Sequence, residues 1–327
     1  MQSVAQPQIK VSLVVATYAP GDAFTRLLDS LDAQTLPTDQ WEVVFVDDGS
    51  PDDTLEMLRS VAATRPHFRV YGIENSGWPS KPRNLGVREA CGEYVMFVDH
   101  DDSLYPDGLR RAVEYAEETG ADVLNPKECK SNDVWWSMTK PWDANIANAL
   151  DEAAPDRVVR LMAFMPHKLY RRSLLLEHNI WFPENGRVLW EDWFVNVGAW
   201  RYAKIVSVLA DTPVYLWHAS DRNTSHTFNP SRPEFWDRIE DVLVDIDQRL
   251  DEGRYLNDRV VLLAHNLKAR PLERTARLLS NPDVSDPAKQ RAFSRSLELI
   301  ERYCSCDVYQ QLPKRYQALV QLFRHQD

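Results

Sequence analysis

Three carboxylates, Asp99, Asp101 and Asp102, stand within four residues at the end of a short apolar run, residues 94–98. Two like charges about 5 Å apart at an effective dielectric near 20 repel by roughly 3 kcal/mol. A folded chain holds three such groups together only with compensation, and a divalent cation with oxygen ligands is the usual source of it. The plainer reading is that Asp102 or Ser103 caps the next helix while the others face water. That accounts for one carboxylate and leaves two, so the stretch points to a metal site. Another acidic pair, Asp47-Asp48, closes the apolar run 41–46, where simple helix capping is the competing role. Glu191 and Asp192 lie between Trp190 and Trp193 at the start of a helix expected over 193–201, where acids also favour the macrodipole.

The elements that must hold these groups alternate. Strands are expected at 11–16, 41–46, 69–73, 94–98 and 121–124, with helices between them from Asp22, from a Ser50 cap followed by Pro51, over 82–90 and over 106–118. Such alternation means βαβ units and a mostly parallel sheet flanked by helices, an α/β class in which ligands bind beyond the carboxyl ends of the strands. Thr17-Tyr18, Asp47-Asp48 and the acids at 99–102 all end strands and converge on one crevice. The chain has no G-x-G-x-x-G and no P-loop signature, which removes the best support for dinucleotide and NTPase readings. One or two late strands are expected over 207–216, followed by a polar loop, 218–226. The irregular stretch 126–165, with Trp135, Trp136 and Trp142, is expected to carry acceptor specificity; Trp78 and Trp181 flank the crevice motifs. Aromatic faces can pack on sugar C–H groups, although buried tryptophans are commoner as plain core.

Beyond residue 228 the pattern turns helical: 237–250, 260–279 with Pro271 kinking or splitting it, 287–303 and 313–324. This suggests a first domain of residues 1–228 and a C-terminal helical domain of 229–327, whose open roles are packing, self-association and acceptor recruitment. With 44% hydrophobic and 27% charged residues the chain can build a core, and its net charge of -11 argues against a general nucleic-acid binder. Its four cysteines have no metal-ligand spacing and fit free thiols in a reducing cytoplasm. Residues 1–10 lack a signal pattern and no apolar run reaches the roughly 18 residues of a membrane span, so a cytoplasmic protein is expected, with a membrane-peripheral position left open.

Val-Val-Ala-Thr-Tyr (14–18), Val-Asp-Asp-Gly-Ser (46–50), Pro-Arg-Asn-Leu-Gly (82–86), Phe-Val-Asp-His-Asp-Asp (97–102), Lys-Leu-Tyr-Arg-Arg-Ser (168–173) and Trp-Glu-Asp-Trp (190–193), in this order, resemble the GT-A fold of the family 2 inverting glycosyltransferases. The resemblance covers residues 9–225, and its finer features are similar to the wall-teichoic-acid N-acetylglucosaminyltransferases. It implies sugar transfer from a nucleotide donor, most simply a UDP-sugar, to a carbohydrate, polyol-phosphate or small-molecule acceptor. By the same resemblance Asp47 reads the pyrimidine, Ala16, Thr17 and Tyr18 meet the nucleotide, and Asn75 and Arg83 contact the donor. Asp99 and Asp101 correspond to the D-x-D motif that holds Mn²⁺ or Mg²⁺, with Asp99 open to a ribose or sugar contact instead and His100 expected to point away. Asp192 matches the catalytic base, Glu191 contacts the sugar or steadies the site, and Arg222 or His218 touches the pyrophosphate. The rival readings are a non-catalytic GT-A-like carbohydrate- or partner-binding protein and a nucleotidyltransferase. The first has no need of both metal and base; the second needs a glycine-rich loop that 17–21 does not supply.

Overall fold

The computed structural model describes residues 9–132, 144–151, 157–162, 167–218 and 233–325. These fall into two compact units, one drawn from residues 1–153 and 164–221 and the other from 154–163 and 222–327.

In the first unit, β1 (Val11–Thr17) and β2 (Trp41–Asp47) are apolar runs buried on both faces, as expected of strands covered by helices on both sides. Between them α1 (Ala23–Asp32) buries Phe24, Leu27 and Leu31 at helical spacing. Then follow α2 (Thr54–Ala63), β3 (Phe68–Gly72), α3 (Ser80–Glu89), β4 (Tyr94–Phe97), the two-residue β5 (Ser103–Leu104), α4 (Gly108–Thr119) and β6 (Val123–Lys130). After α5 (Arg157–Met162), which belongs to the second unit, come β7 (Leu169–Arg171), α6 (Arg172–Glu177), α7 (Glu191–Tyr202) and β8 (Val206–Trp217).

Among the described residues the strands form one sheet in the order β3-β2-β1-β4-β7-β6-β8-β5. The β3-β2-β1-β4 half is parallel throughout. The other half is mixed, because β7 runs antiparallel to both neighbours and β5 antiparallel to β8. Register sets the position of the site. Thr17 pairs with Asp47 and Asp47 with Gly72, so β1, β2 and β3 stop in one row. The Val98 N–H donates to the Val14 carbonyl, which carries the chain past β4 toward Asp99 at the same edge.

Several elements differ from the sequence expectation for identifiable reasons. Helix α2 starts at Thr54 rather than beside Pro51, because Ser50 is engaged elsewhere: its N–H and hydroxyl both donate to the Asp47 carboxylate. Strand β6 continues to Lys130 across Pro126, whose missing N–H coincides with register shifts against β8 at Asn125, Lys127 and Glu128. Strands β5 and β7 are too short to leave a periodic signal.

The second unit is helical: α5 with α8 (Pro233–Arg249), α9 (Leu256–Leu267), α10 (Glu273–Leu279), α11 (Asp286–Tyr303), α12 (Cys306–Gln311) and α13 (Lys314–Arg324). Pro271 interrupts the expected long helix, and Lys268–Leu272 forms a π turn between α9 and α10. Ile239, Leu243 and Ile246 of α8, Leu262 and Leu263 of α9, and Val320 of α13 are buried apolar residues of this unit. Arg157 of α5 pairs with the buried Asp258 of α9 at 3.4 Å. Among the described residues no helix is long and apolar enough to cross a membrane, and all four cysteines are free thiols.

Candidate active site

At the edge where β1, β2, β3 and β4 end lies a cavity of about 520 Å³, with Ala16, Thr17, Tyr18, Asp48, Asn75 and Trp78 among the residues along its wall, together with Arg83, Asp99, His100 and Asp101. The turn after β2 and the loop after β3 are tied into one surface. Asp48 Oδ1 accepts the Ser76 N–H at 2.9 Å and the Ser76 hydroxyl at 2.7 Å, while Asn75 Nδ2 donates to the Asp48 carbonyl at 2.9 Å. Gly49 makes this approach possible: its φ is +64°, and a Cβ there would lie 2.5 Å from the Asn75 nitrogen. Tyr18 presents an exposed ring to the cavity, and His100 Nδ1 lies 3.2 Å from the Ala16 carbonyl oxygen.

Arg83 of α3 joins the end of β4 to the start of α7. Its Nη2 donates to Asp99 Oδ1 at 2.9 Å and its Nη1 to Glu191 Oε1 at 2.7 Å, with the guanidinium 5.2 Å from the Phe182 ring centroid. The side chain is 7% exposed. A cation so buried is tolerated because two carboxylates neutralise it, and removing it would leave those charges uncompensated, at about 3–5 kcal/mol for a buried pair. Burial raises the Asp99 carboxyl, but the Arg83 charge and His167 outweigh it and hold the group far below the usual carboxylate range. Burial raises the Glu191 carboxyl, assisted by the neighbouring Asp192 charge and opposed by Arg83. Helix α7 begins two residues earlier than the sequence suggests, at Glu191, so both acids sit in its first turn. Trp190 precedes it in the left-handed region, φ 57° and ψ 41°, a conformation a bulky residue adopts only when its surroundings over-determine it.

Behind the acidic stretch is a second, sealed layer. The Tyr215 hydroxyl accepts the Asp99 N–H at 3.1 Å and donates to Asp102 Oδ2 at 2.6 Å. Asp102 Oδ1 accepts the His218 N–H at 2.8 Å, and the Ser103 hydroxyl lies 2.8 Å from His218 Nε2. Burial and the Asp99 charge push the Asp102 carboxyl up to about 7. His167, Lys168 and Glu128 are also buried here. Burial lowers the Lys168 ammonium to about 8 against the pull of Glu128 and Asp192.

Two sets of donors could hold a cation. Asp99, Asp102 and His167 bring ligand atoms within 4.8 Å of one another, but Asp102 and His167 are each 1% exposed and neither lines the cavity. Of this trio Asp99 alone borders the cavity. Asp99 and Asp101 do line it, and the exposed Asp101 carboxylate has no hydrogen bond or ion pair among the described residues. Hard oxygen donors at an open wall fit Mg²⁺ or Mn²⁺.

Ala16, Thr17, Tyr18, Asn75, Arg83, Asp99 and Asp101, all singled out by sequence, are thus together, and His100 joins them rather than pointing away. Asp47 is not among the cavity-lining residues; it borders a separate shallow depression with Ser50, Asp52 and Glu74. Asp192 is half-buried in the first turn of α7 and does not line the cavity itself, but its charge acts on Glu191 and Lys168. Trp78 lies in the cavity wall beneath Arg187, whose guanidinium is 4.8 Å from the ring, while Trp181 stacks with Arg88 at 4.8 Å. Arg222, Trp135, Trp136 and Trp142 lie outside the described residues. Sequence reasoning marked the Asp47-Asp48 pair but singled out Asp47, and it missed Tyr215 on β8, Glu128 on β6 and His167 just before β7, lone residues with no local pattern to mark them.

The profile of glycosyl transferase family 2 matches residues 12–178. Poly(ribitol-phosphate) beta-N-acetylglucosaminyltransferase TarS of Staphylococcus aureus strain MW2 is 33% identical over 249 residues, 73% of this chain and 40% of TarS. A poly(ribitol-phosphate) beta-glucosyltransferase of Bacillus spizizenii is 30% identical over 261 residues, 78% of this chain and 40% of that protein. The matches therefore span about two-fifths of the length of these relatives. The crystal structure of S. aureus TarS 1-349 in complex with UDP-GlcNAc superposes with a TM-score of 0.79 at 26% identity, covering 96% of this chain and 87% of that one. The chain belongs to glycosyl transferase family 2.

Proposed function

We propose that this protein transfers a hexose from a UDP-linked donor to a hydroxyl of a polyol-phosphate acceptor, with inversion at the anomeric carbon. The observation that carries the reading is the cavity at the strand ends, where a half-exposed aromatic ring, a carboxylate, an Asn and two further carboxylates line one wall. Its size suits a nucleotide-sized ligand. Similar chains have been solved with UDP-GlcNAc and with UDP. The two relatives named above differ in the sugar of their names, so the hexose is left open. Both act on poly(ribitol-phosphate) by name, which supports an anionic polyol acceptor.

In this reading Tyr18 offers its face to the base. Asp48, whose Oδ1 is fixed by Ser76, accepts the uracil N3–H, a role the sequence had suggested for Asp47. Asp99 and Asp101 hold a divalent cation, which when bound offsets charge on the diphosphate. Arg83 keeps Asp99 and Glu191 in place and turns the rest of its charge toward the phosphates. Asp192 takes the proton from the acceptor hydroxyl as its oxygen bonds to the anomeric carbon and the bond from that carbon to the UDP oxygen breaks. The leaving UDP departs as the anion.

The test is release of UDP from UDP-GlcNAc and UDP-glucose by the full chain with Mn²⁺. D192N should lower turnover by about 10²–10⁴-fold and leave UDP affinity unchanged. Wild-type turnover in D192N would remove Asp192 as the base.

A further inference from the structure

His167 is the one side chain of the sealed layer whose two ring nitrogens are buried and make no aligned hydrogen bond among the described residues. Its surroundings are nevertheless directional. Nε2 lies 3.4 Å from Asp99 Oδ2, and Nδ1 lies 3.7 Å from Oε1 of the buried Glu128 on β6. The ring stacks on Tyr215 with centroids 3.7 Å apart and planes 15° apart. Tyr215 is the residue whose hydroxyl bridges the Asp99 N–H and Asp102. The imidazole is therefore fixed in plane by the stack and in direction by two carboxylates on opposite sides.

Asp99 lines the cavity, whereas His167 and Glu128 do not. One Asp99 oxygen is held by Arg83 at 2.9 Å, and the other faces His167. A carboxylate held at one oxygen still pivots; held at both, its plane is set. The 3.4 Å separation is a few tenths of an ångström beyond an ordinary N–H···O distance, and catalytic hydrogen bonds are often long before ligand binds.

We propose that His167 is a positioning residue for the donor site: supported by Glu128 and Tyr215, it donates from Nε2 to Asp99 Oδ2 and fixes that carboxylate for the bound donor. The inference rests on the UDP-sugar reading above. It concerns the orientation of Asp99 and not a cation at His167, which does not line the cavity.

The test compares His167→Leu, which fills the space without a donor, with His167→Gln, whose amide nitrogen can reach the position of Nε2. UDP release from UDP-GlcNAc, UDP affinity with Mn²⁺ by calorimetry, and thermal midpoint are measured on the full chain. Loss of a partner that orients a ligating carboxylate should cost His167→Leu on the order of tenfold to a hundredfold in kcat. The UDP base and the Asp101 oxygen are still present, so UDP affinity should fall much less than kcat. His167→Gln should recover most of the loss. Wild-type kcat in a folded His167→Leu overturns the proposal. So does equal impairment of a folded His167→Gln, which would mean that the ring is packing alone. If the wild-type protein neither binds nor hydrolyses UDP-sugars, the donor reading itself has failed. His167 is then judged by a thermal-stability cycle of His167→Leu with Asp99→Asn, where additive losses would reject the contact.

Discussion

Asp47 and Asp48 are adjacent in sequence and opposite in fate. Asp47 ends β2, 2% exposed, with its carboxylate taken by Ser50, whereas Asp48 lines the cavity. If Asp48 accepts the uracil N3–H, D48N exchanges an acceptor for an amide whose N–H₂ opposes that proton. UDP affinity should then fall by about tenfold to a hundredfold, the scale of a hydrogen bond to a charged group. CDP, whose N3 is an acceptor, should lose less. Competition binding with the two nucleotides checks this, and D47N should leave the preference intact. The sequence made the acidic pair visible, but which member faces the cavity depends on how the chain turns after the last paired residue of β2. The same limit hid His167 and Tyr215, which reach Asp99 only because β7 and β8 enter the sheet beyond β4. By contrast Asp99, Asp101 and Arg83 were legible, since each lies in a local run of chemistry-bearing residues.

At the level of elements, the legible parts were those with length and period. The apolar runs of β1, β2 and β4 announce buried strands, and α1 and α4 show their buried stripe in sequence. Helix α7 buries Val195, Asn196, Val197, Gly198, Ala199 and Trp200 in succession, so it has almost no amphipathic signal and was legible mainly through its acidic start. Helix α3 shows how closely the elements of the site are packed. A Cβ at Gly86 would lie 2.2 Å from Val14 Cγ1 of β1. Gly86→Ala should therefore overpack this contact at a cost of about 1–3 kcal/mol, read as a lower urea midpoint. It should also weaken UDP binding, because α3 carries Arg83. A variant as stable as wild type would show that helix and strand are not held at this spacing.

The whole molecule is acidic, with a net charge of -11, and its second unit carries a buried acid of its own. Asp245 on α8 has one oxygen bonded to Arg249 at 2.6 Å and the other buried without a partner. Burial, opposed by Arg249, raises its carboxyl from 3.8 to about 6. A folded value above the unfolded one means that the group favours folding below about pH 4 and that this contribution disappears as pH rises through 6. D245N should thus stabilise the protein at pH 7.5 relative to its effect at pH 4, by about 2–3 kcal/mol for a shift of two units. Urea denaturation at the two pH values measures it, and an effect independent of pH would contradict the assignment.

In the proposed reading, a cation at Asp99 and Asp101 would supply the local charge compensation that a diphosphate needs on such an acidic protein. The most direct test is calorimetric titration of the full chain with UDP, in Mn²⁺ and in EDTA, alongside D101N. The account predicts affinity at least about tenfold higher with Mn²⁺, and loss of that enhancement in D101N. UDP binding that is equal with Mn²⁺ and EDTA, or unchanged by D101N, would contradict it.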